Sequence, residues 1–325
     1  MKFLIAAGLF CFVITNSFAN QFTLSFGSCS KHNKEQPLWR PILSFTPDVF
    51  MWTGDVVYAD TKTDKTKLAR YLTLQKQRDD YQKVLAKTEV IGTWDDHDFG
   101  QNNAGKDFPL KEINKQAFLD FLDVPKDHPR RQRQGVYATH TYKKGNLVVQ
   151  IILLDVRYNR EDPAENADPL GAEQWQWLEQ QLQTKVKGAH MQVLVSGIQF
   201  LPEDHRFEKW ANFPKARARI LKLIDHSPAT GVLLVSGDRH MGEISAVHLQ
   251  ERAERLIEIT SSGMTHAWGR YSEEVNRHRI AGIYPFLNFG LIQFELQKDH
   301  VRAEISVVDQ EANKKLKVNH LFKLK

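Results

Sequence analysis

An α/β fold is what this 325-residue sequence predicts, on three observations. Short apolar runs ending in Gly, Ser or Asp recur along most of the chain. Segments with apolar residues three or four apart lie between them, and the C-terminal stretch changes to alternating apolar and polar residues. Unbroken apolar runs suit strands buried on both faces, as in a parallel sheet, whereas alternation suits antiparallel strands with one wet face.

In chain order, strands are expected at "FTLSF" (22–26), "DVFMW" (48–52), "EVIGTW" (89–94), "LVVQIILL" (147–154), "MQVLVSG" (191–197), "GVLLVSG" (231–237) and "RLIEIT" (255–260), each rich in β-branched or aromatic residues and closed by turn formers. A helix is expected over 64–86, where Leu68, Tyr71, Leu72, Tyr81, Val84 and Leu85 recur at helical spacing. A second is expected over 171–187, opened by Gly171 and carrying Trp175, Leu178 and Leu182. A third, over 214–226, starts at Pro214 and turns Ile220, Leu221 and Ile224 inward. The tail runs "FGLIQFEL", "VRAEISVV" and "LKVNHLFKL" read as antiparallel strands that complete a second sheet rather than a separate domain. No repeat or long linker interrupts the chain, so one domain is expected over residues 20–325.

Residues 1–19 read as a signal peptide cut after Ala19: an early Lys, an apolar run from Phe3 to Ile14, then small residues at Ser17 and Ala19. The run falls short of the roughly 20 residues that span a bilayer, so export to the periplasm or medium is expected rather than anchoring. Cys11 follows the bulky Phe10, which speaks against lipidation. Cleavage leaves Cys29 with no internal disulfide partner, either as a small buried residue or as a metal-bound thiolate. The net charge of +5 is small and diffuse and accords with an anionic substrate or membrane surface. The longest basic block, "RRQR" at 130–133, is too short for a nucleic-acid arm and reads as a solvated loop; no nucleic-acid recognition is expected.

The chemistry-bearing residues follow the strands. Cys29 follows the first, Asp55 and Tyr58 the second, and Asp95, Asp96, His97 and Asp98 the third. Asp155 and Arg157 follow the fourth, Gln199 the fifth, and Asp238 with His240 the sixth. In α/β sheets, ligands bind outside the carboxyl ends of the strands, so one rim collects these groups. Singly, each has a structural reading: Asp155 holding a loop, Gln199 satisfying backbone, Asp98 capping a turn. Together, and above all in "WDDHD", the crowded carboxylates call for a cation, since buried like charges are costly unless something positive lies among them. A pair of metal ions supplies it.

The segments "FGSCS", "WTGDVVYAD", "WDDHDFGQN", "GVYATHTYKKGNLVVQIILLDVRYNR", "LGAEQWQWLEQQL", "VSGIQF", "WANFPKARARI", "SGDRHMGE" and "ITSSGMTH" occur, in this order, over about residues 22–268. In them the chain resembles the alkaline phosphatase D (PhoD)-like family of the calcineurin-like metallophosphoesterase superfamily. The resemblance implies a four-layer α/β/β/α sandwich with mixed central sheets. It also implies an exported hydrolase of phosphate esters that uses a metal-bound hydroxide at a dinuclear or larger centre of Fe3+ and Ca2+, with other divalent metals as substitutes. Cys29 takes the place of the superfamily's first Asp-x-His, Asp55 that of the bridging carboxylate, and Tyr58 that of a terminal phenolate ligand. Asp96, Asp238 and His240 match further ligand positions, and His97 matches the proton donor to the leaving group. Asn102 is implied as a ligand or phosphate contact, and Asp95 and Asp98 as residues that orient the loop. Arg157 and His266 are candidate phosphate contacts, although an arginine at a strand end also reads as a structural ion pair. Ala216 and Asn103 depart from the family's usual Glu and Asp.

The substrate class stays open among small phosphate esters and lipid head groups, the latter by phospholipase C-like diester cleavage; a monomer is expected. "GIYPFLNF" (282–289) reads as core, or as a lipid-facing mouth. Two rival chemistries remain: Cys29 as a nucleophile with His97 or His240 as base, and a non-catalytic exported binding protein whose metals staple loops.

Overall fold

The computed structural model describes residues 20–271 and 273–324; the signal-peptide reading of 1–19 lies outside them. The N-terminal third contributes strands β1 (Gln21–Gly27), β2 (Val49–Thr53) and β3 (Glu89–Thr93). Helices α1 (Trp39–Ser44), α2 (Lys67–Lys76), α3 (Asp79–Leu85), α4 (Asp96–Phe99) and α5 (Lys111–Phe121) accompany them. Next come β4 (Ala138–Lys144), β5 (Leu147–Leu153), α6 (Ala172–Leu182), β6 (Ala189–Ser196), α7 (Pro214–Asp225), β7 (Gly231–Ser236), β8 (Gly242–Val247) and β9 (Leu256–Ser261). The chain closes with β10 (Arg279–Tyr284), β11 (Phe289–Leu296), β12 (His300–Val308) and β13 (Lys314–Lys323).

Two mixed sheets result, in the orders β13-β12-β11-β1-β2-β3 and β10-β8-β9-β7-β6-β5-β4. In the first, β1, β2 and β3 run parallel and β11 joins β1 antiparallel, with Gln21 opposite Glu295. In the second, β5, β6, β7 and β9 run parallel between antiparallel edges.

Side-chain alternation along each strand builds the layers. In β2, Val49 and Met51 join Phe22, Leu24 and Phe26 against Leu147, Val149, Val193 and Val235 of the other sheet. The intervening Phe50 and Trp52 face outward onto Trp39, Leu72, Tyr81 and Phe118 of the N-terminal helices. The second sheet repeats this arrangement, with Ile152, Leu194 and Leu234 facing outward onto Trp175, Leu178, Ile220 and Ile224 of α6 and α7. Helices, sheet, sheet, helices: the four expected layers are present.

Some local expectations are corrected. The seven apolar strands do not share one sheet; β1–β3 and β5, β6, β7, β9 separate because each set covers the other's inner face. The tail strands do complete a second sheet, and they do so by extending β1–β3 on the side of β1. The helical pattern over 64–86 breaks at Arg78, which is extended (φ −66°, ψ 129°), and restarts with Asp79 and Asp80 in the first turn of α3, where carboxylates suit the helix dipole. Three strands escaped the sequence reading. One of them, β8, carries Glu243 and Ser245 buried among its apolar residues, so neither an apolar run nor a clean alternation marks it.

Candidate metal centre

The loops after β1, β2, β3, β7 and β9 meet at one end of the sandwich. Within one sheet they are stitched by Ser30 N–H to Asp55 O (2.8 Å), within the other Gly237 N–H reaches Gly197 O after β6 (3.0 Å), and Met264 N–H to Ser28 O (3.0 Å) joins the two. Four non-glycine residues here hold left-handed backbone: Cys29 (φ 59°), Asp55 (52°), Asp238 (67°) and His240 (53°). Such conformations cost about 1–3 kcal/mol each and gather where function over-determines geometry. Glycines make room for them. An alanine Cβ at Gly54 (φ 98°) would lie 2.4 Å from Asp95 Cβ, and one at Gly197 would lie 2.5 Å from Asp95 Oδ1. Gly54→Ala is therefore expected to destabilise the protein by roughly 3 kcal/mol, the upper end for overpacking, read as a lower urea midpoint with unchanged slope.

Tyr58 Oη sits at the middle of the cluster, 3.2 Å from Asp55 Oδ2, 3.1 Å from His240 Nε2 and 3.0 Å from His266 Nε2. Cys29 Sγ lies 3.5 Å from Asp55 Oδ2 and 2.9 Å from Ser262 Oγ, and Ser262 Oγ also accepts from His240 N–H at 2.8 Å. Three overlapping donor groups form: Cys29, Asp55 and His240; Asp55, Asp96 and His97; Asp55, Asp95, Asp96 and Asp238. Asp55 is common to all three. Without a cation the cluster is electrostatically adverse. Burial, then the charges of Cys29 and Asp96, hold the Asp55 carboxyl well above the usual range; burial, then Asp96, pushes Asp238 up to about 6. Burial also pushes the Cys29 thiol up to about 12. In the metal-free protein burial thus favours the neutral thiol, which gives no sign of a nucleophile activated by its own surroundings. The donor types nonetheless fit metal ions, and the buried Asp95 Oδ2 and Asp96 Oδ1 have no hydrogen-bond partner among the described residues.

The aspartates of "WDDHD" divide their work. Asp98 accepts from Val57 N–H (3.0 Å) and Asp95 N–H (3.2 Å), tying α4 to the loop after β2. Asp95 Oδ1 accepts from Arg157 Nε at 2.6 Å. Asp96 Oδ2 accepts from Asn103 N–H at 2.7 Å, leaving Oδ1 free for the centre. His97 Nδ1 meets both oxygens of Asp60 (2.8 and 2.9 Å), and its ring lies 4.1 Å from that of Tyr58. Burial opposes the imidazolium, but the Asp60 hydrogen bond and the charges of Asp96, Asp60 and Asp98 outweigh it, so His97 is raised above its ordinary value.

His97, Asn102, Asp238 and His240 line a cavity of about 520 Å³. His266, expected as a phosphate contact, is not among the residues that line it; it is bonded to Tyr58 and pushed down to about 3 by burial and by His240 and Lys31. Arg157 is fully buried, with Nε on Asp95 and Nη2 2.6 Å from Glu208 Oε2, so it is part of a structural ion chain and does not line the cavity. Gln199 is buried too, its amide donating to Glu243 (2.6 Å) and Thr260 (2.8 Å). Residues 282–289 do not line the cavity: Phe289 is core, and Phe286 packs edge-on to Tyr271. Asp60 and Ser262, which orient His97 and Cys29, were missed by the sequence reading; Asp60 ends the quoted "WTGDVVYAD", but nothing local marks its partner.

Two back-to-back mixed sheets under helices, with carboxylates, imidazoles, a phenol and a thiol at the strand ends, define an α/β/β/α sandwich with a candidate metal centre at one end. The PhoD-like phosphatase family model matches residues 24–305, and the chain belongs to that family. It is similar to alkaline phosphatase D of Bacillus subtilis (strain 168), 24% identical over an alignment of 343 positions, gaps included, that covers 88% of this chain and 57% of the relative. The chain thus spans little more than half the length of that curated relative. A solved structure of PhoD superposes with a TM-score of 0.72 at 17% identity, covering 93% of this chain and 68% of that one. GAP50, the anchor in the inner membrane complex of Plasmodium, shares the fold with a TM-score of 0.59 at 11% identity, over 94% of this chain and 90% of its own.

Proposed function

We propose that the chain is an exported, metal-dependent phosphoric ester hydrolase of the phosphodiesterase or alkaline phosphatase type. One observation carries the reading: Asp55 is shared by every candidate donor group, as a carboxylate bridging two cations must be. Cys29, Tyr58 and His240 with Asp55 make a thiolate–phenolate–imidazole set suited to Fe3+. Asp96 and Asp238, with Asp55 and the Asn102 amide, make an oxygen set suited to Ca2+. When bound, such ions lower the pKa of coordinated water and neutralise phosphoryl oxygens.

The protein's own part is proton delivery and positioning. With Nδ1 held by Asp60, His97 keeps Nε2 for the leaving-group oxygen, and the Asp60 hydrogen bond and the nearby carboxylates favour its protonated form. His97→Ala is expected to slow esters of poor leaving groups by roughly 10²–10⁴-fold, the range of general acid catalysis, and activated aryl esters far less. Asp60→Asn removes the charge that raises His97 and leaves only a weaker, neutral hydrogen bond to Nδ1. A weaker acid gives way to a stronger one, so the alkaline limb of the kcat profile should move to lower pH; an unmoved limb would take the proton-donor role from His97.

The reading is tested by elemental analysis of the purified protein beside a panel of phosphate mono- and diesters. Stoichiometric metal with turnover supports it, and absence of metal overturns it. Bound metal without hydrolysis of any ester would favour the loop-stapling alternative. Among the described residues no helix is long and apolar enough to cross a membrane. Export is checked by N-terminal sequencing of the mature protein, expected to begin at Asn20.

A further inference from the structure

Three arginines line the cavity above Asp238 and His240, and their guanidinium groups are committed differently. Arg206 is exposed, its guanidinium 5.3 Å from the Phe207 ring centre. Arg239 is buried, with Nη2 donating to both oxygens of Glu274 at 2.6 and 2.8 Å. Arg160 is only 4% exposed and is anchored by one atom, Nε, to Glu208 Oε1 at 2.5 Å. Neither of its Nη groups makes a hydrogen bond among the described residues; the nearest carboxylate oxygen, on the fully exposed Asp162, is 3.9 Å away.

Arg160 also lines a neighbouring cavity of about 660 Å³, which shares Asn102 and Asn103 with the first, so it stands in the partition between the two. Its anchor is not isolated. Glu208 is paired with Arg157, and Arg157 with Asp95, whose other oxygen belongs to the candidate metal cluster. Asp95, Arg157, Glu208 and Arg160 form a buried row of alternating charge running from the centre to the cavity wall. Each inner charge has an oppositely charged neighbour on both sides. The Nη groups of Arg157 also lack a hydrogen bond among the described residues but are enclosed, whereas both Nη groups of Arg160 are unused where it borders the two cavities. Burying an ion is costly unless it is fully paired, and an arginine fork matches two oxygens of a tetrahedral oxyanion.

We propose that Arg160 binds the phosphoryl oxygens of the substrate, and of released phosphate, at the junction of the two cavities. The substrate part of this assignment rests on the phosphoesterase reading; the phosphate part does not. The tether to Glu208 holds the guanidinium plane in place before the ligand arrives, so little ordering cost falls on binding. Removing Arg160 leaves Glu208 paired with Arg157, so the fold should survive the substitution.

The experiment uses the full metal-loaded chain and its Arg160→Gln and Arg160→Lys variants, with metal content and melting temperature measured for each. Inorganic phosphate binding is followed by calorimetry, and kcat and KM are measured on a mono- and a diester. Phosphate binding is expected to weaken roughly ten- to hundredfold in Arg160→Gln, the range for hydrogen bonds to a charged group, at unchanged metal content. Arg160→Lys should restore only part of it, because an ammonium lacks the fork. Equal phosphate affinity in wild type and Arg160→Gln, or loss of metal from the variant, would overturn the proposal by making Arg160 a purely structural residue. A wild type that binds phosphate but turns over no ester would sink the phosphoesterase reading alone, and the loss of phosphate binding in Arg160→Gln would then still support Arg160.

Discussion

Asp55→Asn is expected to lower kcat/KM by about a thousandfold or more and to strip the protein of metal, because in the proposed centre this carboxylate would serve both cations, and metal ions are worth several kcal/mol to a transition state. The same substitution should have the opposite effect on the metal-free fold. Asp55 is buried beside Cys29, Asp96, Asp95 and Asp98, and these surroundings hold its carboxyl well above its unfolded value. A carboxyl raised on folding stabilises the native state below its unfolded pKa and loses that contribution as pH rises through the folded one. In chelated protein at pH 8, Asp55 therefore opposes folding, and the neutral Asn variant should melt at a higher temperature than wild type. With metal the order should reverse, since ligand binding stabilises only the protein that binds. Calorimetric melting of both proteins with and without chelator reads all four states. A chelated Asn variant that melts below wild type would mean that Asp55 holds its loop chiefly as a hydrogen-bond acceptor for His97 N–H and Tyr58 O–H.

Arg157→Ala carries the largest expected loss of stability. The side chain is 0% exposed and sits between Asp95 and Glu208, each with an oxygen 2.6 Å away. Removing one member of a buried ion set leaves its partners' charge uncompensated and costs about 3–5 kcal/mol. At a few degrees per kcal/mol in a chain of this size, melting should fall by roughly 10 °C. Protein that remains folded should keep its KM, because Arg157 does not line the cavity. A raised KM at unchanged melting temperature would return Arg157 to the substrate and reverse the placement argued from its burial.

These expectations divide along what the linear chain can record. Strands β1, β2, β3, β5, β6, β7 and β9 were legible because burial on both faces demands unbroken apolar residues, and the position of the polar groups after them was legible because parallel strands point their carboxyl ends one way. Cys29, Asp55, Tyr58, Asp96, Asp238 and His240 could be named from that rule and from the family resemblance together. Helix α5 and strand β8 were not legible, since buried polar residues such as Asn114 and Glu243 blur the periodicity that would mark them, and the edge strands β4 and β10 were not because, apart from Ala138, their residues are exposed or half-exposed.

The stretch "WDDHD" marks the boundary. By itself the sequence determined that carboxylates crowd one strand end and that a cation should lie among them. The family resemblance already set Asp96 apart from Asp95 and Asp98; only the tertiary structure supplied the partners: Asp98 is taken by amides of Val57 and Asp95, Asp95 by a guanidinium 62 positions away, and Asp96 keeps an oxygen without a hydrogen bond. Arg157 and Arg160 show the same division. Three residues apart in one loop, they look alike in sequence, yet one is enclosed and the other borders both cavities. Hydrogen-bond partners and solvent access are properties of groups brought together from distant parts of the chain, so no local pattern could have assigned these roles.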